Sequence, residues 1–263
     1  MNILEEIIAH KRGEITQNKA KTRVSELEKS PFFSRKVLSM RDFLLDGAKT
    51  GIIAEFKRRS PSKGKINLSA DAFSVTSGYA EHGASALSIL TDEAFFGGSQ
   101  NDLTGSRANL IPILRKDFII DEYQIVESKA MGADAILLIA ACLDPAEIRR
   151  LAIFAKSLGL EILLEIHNEL ELQHICDETA LIGVNNRDLK TFKVDVNISE
   201  TLSQLIDAGK TMIAESGIHD PATICHLKKF GFKGFLIGEA FMKEPDPAIA
   251  FASFVNQLKN TVR

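Results

Sequence analysis

From Gly51 onward the chain alternates between short apolar runs and segments with helical spacing. Eight of these runs have the length and composition of buried strands. They are Ile52–Phe56, Ala86–Leu90, Ile111–Leu114, Ala135–Ile139, Glu161–Ile166, Leu181–Val184, Thr211–Ala214 and Gly234–Ile237. Helix-start signals lie between them, and Asp144-Pro145 combines an acidic N-cap with proline in the first turn. This alternation predicts parallel strands joined by helices.

Eight such units in about 210 residues predict an α/β protein of the (β/α)8 (TIM) barrel type. An open, doubly wound sheet is the alternative. It would carry a glycine-rich dinucleotide-binding turn after the first strand, and the segment 55–62 has no GxGxxG pattern. We therefore expect one barrel domain spanning residues 1–263.

The first 50 residues follow a different pattern. Apolar residues recur there at helical spacing with charged residues between them, which predicts an amphipathic helix. They are Ile3, Leu4, Ile7, Ile8 and Ile15. Shorter helical pieces follow, so we interpret residues 1–50 as a helical extension that docks on the barrel. Deletion of residues 2–45 is then expected to impair substrate binding more than folding.

Charge and composition exclude several classes of protein. The net charge is −3, and no basic run is longer than Lys57-Arg58-Arg59, so neither nucleic acid nor an anionic membrane is an expected partner. No apolar stretch reaches the roughly 18 residues that span a bilayer, and the segment 1–6 lacks the pattern of a secretory signal. The three cysteines are isolated, as is typical of buried thiols in a cytoplasmic protein. We expect a cytoplasmic location.

Polar side chains collect where the predicted strands end. Barrel enzymes place their catalytic residues at the carboxyl-terminal ends of strands, because the loops there form the open mouth. Six of the eight strands end in such residues, which include Glu55, Lys57, Lys116, Glu165, Asn185, Arg187, Glu215 and Glu239. Each one alone is more commonly a solvated loop residue. Taken together, the set predicts a catalytic site.

Two glycine turns predict a phosphate site at the same end of the barrel. Ser216-Gly217 and Gly238-Glu239 follow the seventh and eighth strands, where backbone N–H groups and helix N-termini bind phosphate in such barrels. Arg187 would add a bidentate clamp. The sequence therefore predicts a phosphorylated small-molecule substrate. The histidines lack the spacing of a metal site, so we expect no metal.

Four ordered motifs resemble the indole-3-glycerol-phosphate synthase family of tryptophan biosynthesis. They are the segments 53–62, 114–118, 184–189 and 214–218, and the similarity runs from about Ile3 to the C-terminus. The resemblance implies a barrel with extra N-terminal helices across its mouth. It also implies ring closure of 1-(2-carboxyphenylamino)-1-deoxyribulose 5-phosphate with loss of CO2 and water, without a cofactor. We expect the monofunctional form, because the chain ends before a second barrel, and a monomer or weak homodimer.

The resemblance also implies catalytic roles for four side chains. Lys116 matches the general acid that protonates the ketose oxygen. A lysine performs this role best when burial or a neighbouring cation lowers its pKa toward neutrality, and Lys57 is the candidate cation. Lys57 matches the residue that binds the substrate carboxylate. Glu165 matches the acid/base of the dehydration, and Glu55 matches a second carboxylate beside the reacting hydroxyl. Which of Glu165, Glu55 and Lys57 delivers the final proton stays open.

The remaining matches are binding residues. Asn185 and Glu215 match polar contacts to the substrate and the lysines. The apolar wall around the aromatic ring matches Phe96, Phe118, Leu137 and Leu189. The phosphate site matches Ser60, Arg187, Ser216, Gly217, Gly238 and Glu239. Because a carboxylate would repel a phosphate dianion, we expect the side chain of Glu239 to turn away from the phosphate.

Two other functions fit parts of the pattern. A barrel of the phosphoribosylanthranilate isomerase type has similar phosphate loops but lacks the set of Glu55, Lys57, Lys116 and Glu165. A non-catalytic barrel would bind a phosphorylated ligand without using acids and bases. A turnover assay separates both from the synthase.

Overall fold

Eight parallel strands close into a barrel in the computed structural model, which describes residues 3–189 and 191–261. In chain order the strands are β1 (Ile52–Phe56), β2 (Arg59–Ser60), β3 (Gly64–Lys65), β4 (Ala86–Leu90), β5 (Ile113–Lys116), β6 (Ala135–Ile139), β7 (Glu161–Ile166), β8 (Leu181–Asn185), β9 (Thr211–Glu215) and β10 (Gly234–Ile237). Strands β1 and β4 to β10 form the barrel, in which β1 pairs with both β4 and β10. The predicted fold class is confirmed.

Helices surround the barrel. They are α1 (Ile3–Lys21), α2 (Val24–Leu27), α3 (Met40–Leu45), α4 (Ala72–Glu81), α5 (Glu93–Phe96), α6 (Gln100–Ser106), α7 (Glu122–Met131), α8 (Pro145–Ser157), α9 (Asn197–Ser203), α10 (Pro221–Lys229), α11 (Glu239–Met242) and α12 (Pro247–Thr261). Short 3-10 helices cover Ala140–Cys142 and Glu169–His174. The predicted start of α8 is a capping box, in which Asp144 accepts from the backbone N–H of Glu147 and Glu147 accepts from that of Asp144.

The strand predictions differ from the structure mainly at polar ends. Strand β5 begins at Ile113, after a proline that has no N–H to donate, and it continues through Lys116. Strands β8 and β9 likewise run one residue further, through Asn185 and Glu215. These polar residues stay in the strands because their backbones pair with neighbouring strands, Lys116 with Leu90 and Asn185 with Glu215. The hairpin of β2 and β3, in the loop after β1, was not predicted.

The barrel interior is filled with apolar side chains below its mouth. Ile53, Leu114, Leu163 and Ile213 belong to one buried cluster inside the barrel. A second, larger cluster lies between the strands and the surrounding helices. Because the interior is packed, a substrate can enter only from the mouth.

The N-terminal extension contacts both ends of the barrel. Helix α1 lies at the mouth, while Met40 and Leu44 of α3 pack into the interior cluster from the opposite end. Glu161, at the start of β7, accepts hydrogen bonds from the backbone N–H of Met40 (2.6 Å) and from Ser39 Oγ (2.8 Å). The part around α3 is therefore barrel core, which changes the expected result of deleting residues 2–45.

The predicted domain range 1–263 includes residues 1, 2, 190, 262 and 263, which lie outside the described residues. Within residues 3–189 and 191–261, no helix has both the length and the apolar character needed to cross a membrane.

Candidate active site

One pocket at the carboxyl-terminal ends of the barrel strands is lined by all sixteen residues that the sequence suggested for the site. They are Glu55, Lys57, Ser60, Phe96, Lys116, Phe118, Leu137, Glu165, Asn185, Arg187, Leu189, Glu215, Ser216, Gly217, Gly238 and Glu239. The structure thus brings together residues that are up to 184 positions apart in the chain (239 − 55 = 184). Their individual roles remain proposals.

Four ionisable side chains form the uppermost layer of the barrel interior. Glu55, Lys116, Glu165 and Glu215 come from β1, β5, β7 and β9, which alternate around the barrel with the other four strands. Each lies two residues after a member of the interior cluster, so its side chain points the same way as that apolar residue. The layered filling of a barrel therefore places the charges directly above the core.

Lys116 is the cation at the centre of this layer. Its Nζ lies 3.1 Å from Glu165 Oε2 and 3.8 Å from Glu215 Oε2. Burial lowers the pKa of Lys116, but the charges of Glu165, Glu215 and Glu55 outweigh it and hold the pKa above its ordinary value. The pKa is therefore not lowered toward neutrality, because Lys116 faces carboxylates. Lys57, the candidate for a cation that would lower it, is paired with Glu55 at 2.5 Å.

The two carboxyl groups beside Lys116 differ in charge. Burial raises the pKa of Glu165, but Lys116, His167 and Asn185 outweigh it, so the pKa is lowered. Burial and the charge of Glu165 raise the pKa of Glu215 to about 8, against the influence of Lys116. At neutral pH Glu165 is therefore ionised and Glu215 carries a proton. Two carboxyl groups with separated pKa values are a common arrangement in acid–base catalysis.

Asparagine side chains at the end of β8 position neighbouring groups. Asn185 Nδ2 donates to Glu165 Oε1 at 3.2 Å, and Asn185 Oδ1 accepts from the backbone N–H of Arg187 at 3.1 Å. Asn186 was given no role from sequence, yet it is fully buried and donates to the carbonyl of Ser216 at 3.1 Å. It thereby supports the turn in which Ser216 has a φ of 64°. The only sequence feature that pointed to Asn186 was a second amide side chain at the end of an apolar strand.

Glycine is required at both turns of the predicted phosphate site. Gly217 has a φ of 78°, in the left-handed region, and a Cβ there would lie 2.6 Å from Val194. A Cβ at Gly238 would lie 2.6 Å from Glu55 Oε1. Helix α11 begins directly after Gly238, and the first N–H groups of a helix have no partner within it. These N–H groups suit an anion.

The side chain of Glu239 does not turn away from the pocket. Its Oε1 lies 3.2 Å from Lys63 Nζ, and its Oε2 lies 3.7 Å from Arg187 Nη2. The expectation was wrong because these two cations attract the carboxylate. Lys63 lies at the turn of the hairpin formed by β2 and β3, which sequence reasoning did not identify.

An apolar wall faces the ionisable layer. Phe96 and Phe118 lie with their ring centroids 6.0 Å apart, and Leu137 and Leu189 line the same pocket. Helix α1 adds lining residues that had been assigned only a docking role, namely Ile3, Leu4 and Ile7. This wall has the size and character to hold an aromatic ring.

Lys11 of α1 was not identified as important from sequence, yet it is completely buried. Its Nζ lies 3.0 Å from Asp92 and 3.0 Å from Asp117. Asp92 is the N-cap of α5, which carries Phe96, and Asp117 accepts the backbone N–H of Phe118 at 2.8 Å. Lys11 thereby connects α1 to both aromatic residues. The sequence feature that could have identified Lys11 is its place among the apolar positions that repeat along α1.

The mouth of this (β/α)8 barrel combines an ammonium–carboxylate layer, an apolar wall and two glycine turns. This combination defines the class of barrel enzymes with acid–base sites. The family model described as indole-3-glycerol phosphate synthase matches residues 4–254. The chain belongs to the indole-3-glycerol phosphate synthase family, whose members are carbon–carbon lyases acting on a phosphorylated small molecule.

Similar proteins agree with this assignment. An indole-3-glycerol phosphate synthase of Bacteroides thetaiotaomicron is 46% identical over 98% of this chain and 99% of its own. One from Salinibacter ruber is 42% identical over 96% of this chain and 94% of its own. Among solved structures, thiamine phosphate pyrophosphorylase from Pyrococcus furiosus covers 86% of this chain and all of its own, with a TM-score of 0.62 and 15% identity. That likeness concerns the fold alone.

Proposed function

We propose that this pocket converts 1-(2-carboxyphenylamino)-1-deoxyribulose 5-phosphate into indole-3-glycerol phosphate, CO2 and water, as a step of tryptophan biosynthesis. Family membership supports the reaction. The observation that carries it in this chain is the contact of Lys116 with Glu165 at 3.1 Å, inside a pocket that also has an aromatic wall. The contact puts a proton donor and a proton acceptor beside one another.

The substrate would lie across the mouth between two ends of the pocket. Its phosphate would bind at the turns of Gly217 and Gly238, with Arg187 as the cation. Its aromatic ring would pack on Phe96 and Phe118. Binding at both ends would hold the aryl carbon close to the ketose carbonyl, which supplies much of the rate enhancement in a ring closure. Lys57 would hold the carboxylate of the substrate.

Lys116 would act first, as the general acid. The aryl carbon that bears the carboxylate attacks the ketose carbon, and the ketose oxygen takes the proton from Lys116 Nζ as the new carbon–carbon bond forms. The raised pKa keeps Lys116 protonated at neutral pH. The proton still moves, because the developing alkoxide is a stronger base than an amine. Loss of CO2 then restores the aromatic ring.

Dehydration would follow at the carboxyl groups. The hydroxyl formed in the first step leaves as water after it has been protonated, and a base removes the proton from the adjacent ring carbon. Glu165 supplies the ionised group of the layer, and the raised pKa of Glu215 keeps a proton close to it. A carboxyl group that can change its protonation state beside the reacting carbons suits a step that needs both an acid and a base.

The test is turnover of that ketose phosphate, followed by the fluorescence of the indole product. We expect product from the wild-type chain, and no product would refute the proposed function. Parallel incubation with phosphoribosylanthranilate tests the isomerase alternative, for which we expect no turnover.

We also propose a monomer or weak homodimer in the cytoplasm. All sixteen site residues come from one chain, so the pocket needs no second copy. The three cysteines are free thiols, in keeping with a reducing compartment. Light scattering across a range of protein concentrations tests the oligomeric state, and fractionation of the source cells tests the compartment.

A further inference from the structure

His167 lies directly behind Glu165, outside the substrate pocket. Its Nε2 is 3.1 Å from Glu165 Oε1, and its Nδ1 is 3.1 Å from Glu171 Oε2. Neither His167 nor Glu171 lines the pocket. The imidazole thus sits between two carboxylates, one of which belongs to the proposed site. The mechanism above does not use it.

The two contacts of the ring are not equivalent. Glu171 is fixed, because it accepts from the backbone N–H of His167 at 2.7 Å and from Asn168 Nδ2 at 3.0 Å. Its hydrogen bond to Nδ1 therefore holds that nitrogen in place. By contrast, Nε2 faces Glu165 Oε1 at 3.1 Å, an oxygen that belongs to the proposed site. The proton on Nε2 is therefore the one that lies next to the reacting groups.

The charges around the ring favour the imidazolium form. Burial lowers the pKa of His167, but the hydrogen bonds and charges of Glu165 and Glu171 raise it to about 10. Lys116 and Glu215 lie near Glu165 on the pocket side. The thiol of Cys142 is also near these carboxylates, and burial and the charges of Glu165 and Glu171 raise its pKa. At neutral pH that thiol is uncharged. His167 therefore holds two ring protons in the resting protein.

The proposed reaction consumes a proton in every turnover. The substrate carboxylate leaves as neutral CO2 and the hydroxyl leaves as neutral water, so the organic product carries one negative charge fewer than the substrate. In detail, one proton goes to the ketose oxygen and one to the departing hydroxyl, while one returns from the ring carbon. Glu165 is buried, and a bound substrate would cover it. A proton stored beside Glu165 would remove the need to wait for solvent.

We infer that His167 is a proton reserve that acts through Glu165 during the dehydration. This inference rests on the proposed function. In the transfer the Nε2–H bond breaks and the Glu165 Oε1–H bond forms, while the Nδ1–H bond to Glu171 stays intact. The neutral imidazole is reprotonated at Nε2 by the reverse transfer, once product release lets solvent protons reach Glu165. His167 is thus a positioning residue, and Glu171 fixes which of its nitrogens gives up the proton.

The chemistry explains why the transfer would occur only during turnover. In the resting site Lys116 lies 3.1 Å from Glu165 and favours its ionised form. When Lys116 has donated its proton to the ketose oxygen, that positive charge is gone and the pKa of Glu165 rises. Glu165 then accepts the proton of the neighbouring imidazolium and gives it to the departing hydroxyl, while the neutral amine of Lys116 takes up the proton released by the ring carbon.

The experiment compares CO2 release with indole formation in single turnovers of wild type and His167→Asn. The amide of the variant keeps a polar group but has no mobile proton. We expect CO2 release within about threefold of wild type and indole formation slowed by about tenfold or more. The ring-closed, decarboxylated and still hydroxylated intermediate should accumulate. Added imidazole should accelerate indole formation by His167→Ala.

The matched control is His174→Asn. His174 is also buried and lies in the same 3-10 segment as Glu171, but among the described residues its ring nitrogens form hydrogen bonds only with the carbonyl oxygens of Glu171 and Leu143. Disturbing this segment should change both rates together. Equal slowing of CO2 release and indole formation in His167→Asn would overturn the inference. If that variant does not fold, Glu171→Gln carries the same test, with the same separation of rates expected. Absence of indole from the wild-type chain would instead refute the proposed function.

Discussion

Lys116 and Glu165 meet across the barrel mouth with Nζ 3.1 Å from Oε2, although 49 positions separate them in the chain. The contact forms because β5 and β7 both direct every second side chain into the barrel and end at the same height. Each partner stabilises the charged form of the other. The resting site therefore holds a protonated lysine and an ionised glutamate, the starting state that the proposed ring closure requires.

Glu215→Gln should change how stability depends on pH. The pKa of Glu215 is raised from its ordinary 4.5 to about 8 in the folded protein, so the folded state retains a proton that the unfolded chain releases. Its contribution is fully present below pH 4.5 and is lost as the pH rises toward 8. Glutamine has no such dependence. We expect the free energy of unfolding of the variant, measured with urea, to rise relative to that of wild type by roughly 1 kcal/mol or more between about pH 5 and about pH 8. A pH-independent difference would contradict this assignment.

Lys11→Met should be far more damaging than Lys19→Met on the same helix. Removing Lys11 leaves Asp92 and Asp117 buried without their cation, which typically costs about 3–5 kcal/mol. Lys19 forms a partly exposed pair with Asp121 at 2.8 Å, and such pairs contribute about 1 kcal/mol or less. Urea unfolding measures both costs. Similar costs for the two variants would argue against the buried network.

The KM for the substrate is a second quantity to measure in Lys11→Met. Because Lys11 connects α1 to the segments carrying Phe96 and Phe118, we expect KM to rise in Lys11→Met and to stay unchanged in Lys19→Met. A stable Lys11→Met protein with an unchanged KM would limit Lys11 to a structural role.

Two deletions should separate the two parts of the N-terminal extension. Removing residues 2–22 takes away α1 at the mouth, where water can then reach the aspartates that Lys11 had paired, so we expect a folded protein with weaker substrate binding. Removing residues 2–45 also takes away α3, which opens the other end of the barrel and leaves Glu161 without its backbone partners. We expect that chain not to fold. Circular dichroism with thermal unfolding distinguishes these outcomes, and a cooperative transition in the longer deletion would show that α3 is dispensable.

Glu239→Gln should strengthen the binding of inorganic phosphate. The carboxylate lies beside Lys63 and Arg187, so it balances their charge and would repel a dianion bound nearby. We expect the inhibition constant of phosphate to fall by about threefold to tenfold, in line with one partly exposed charge interaction. Glu244→Gln is the matched control, because Glu244 is exposed and does not line the pocket. Weaker phosphate binding in Glu239→Gln would mean that the carboxylate supports the site instead.

The sequence was sufficient for the barrel because its strands are buried on both sides. Ala135–Ile139 is a continuous apolar run and Ile52–Phe56 is apolar except for Glu55, and both were predicted to the residue. The position of Glu165 after three aliphatic residues likewise identified a strand end. Such information is local, so a sequence pattern carries it.

Other properties depend on groups that come together only in the folded chain. The direction of the pKa shift of Lys116 follows from three carboxylates on three other strands. The orientation of Glu239 follows from Lys63, which reaches it from the hairpin after β1. The burial of Lys11 depends on two aspartates more than 80 positions away (92 − 11 = 81). None of these partners is a sequence neighbour, so no local pattern predicts them.

The most direct test of the central claim is a single-turnover comparison of Lys116→Ala and Glu165→Gln, with CO2 and indole measured in the same reaction. If Lys116 is the acid of ring closure, its loss should slow CO2 release by about 100-fold or more, since no carboxylate can leave before the ring closes. If Glu165 acts in dehydration, Glu165→Gln should release CO2 and then form indole about 100-fold more slowly than wild type. Wild-type CO2 release in Lys116→Ala, or wild-type indole formation in Glu165→Gln, would contradict the role assigned to that residue.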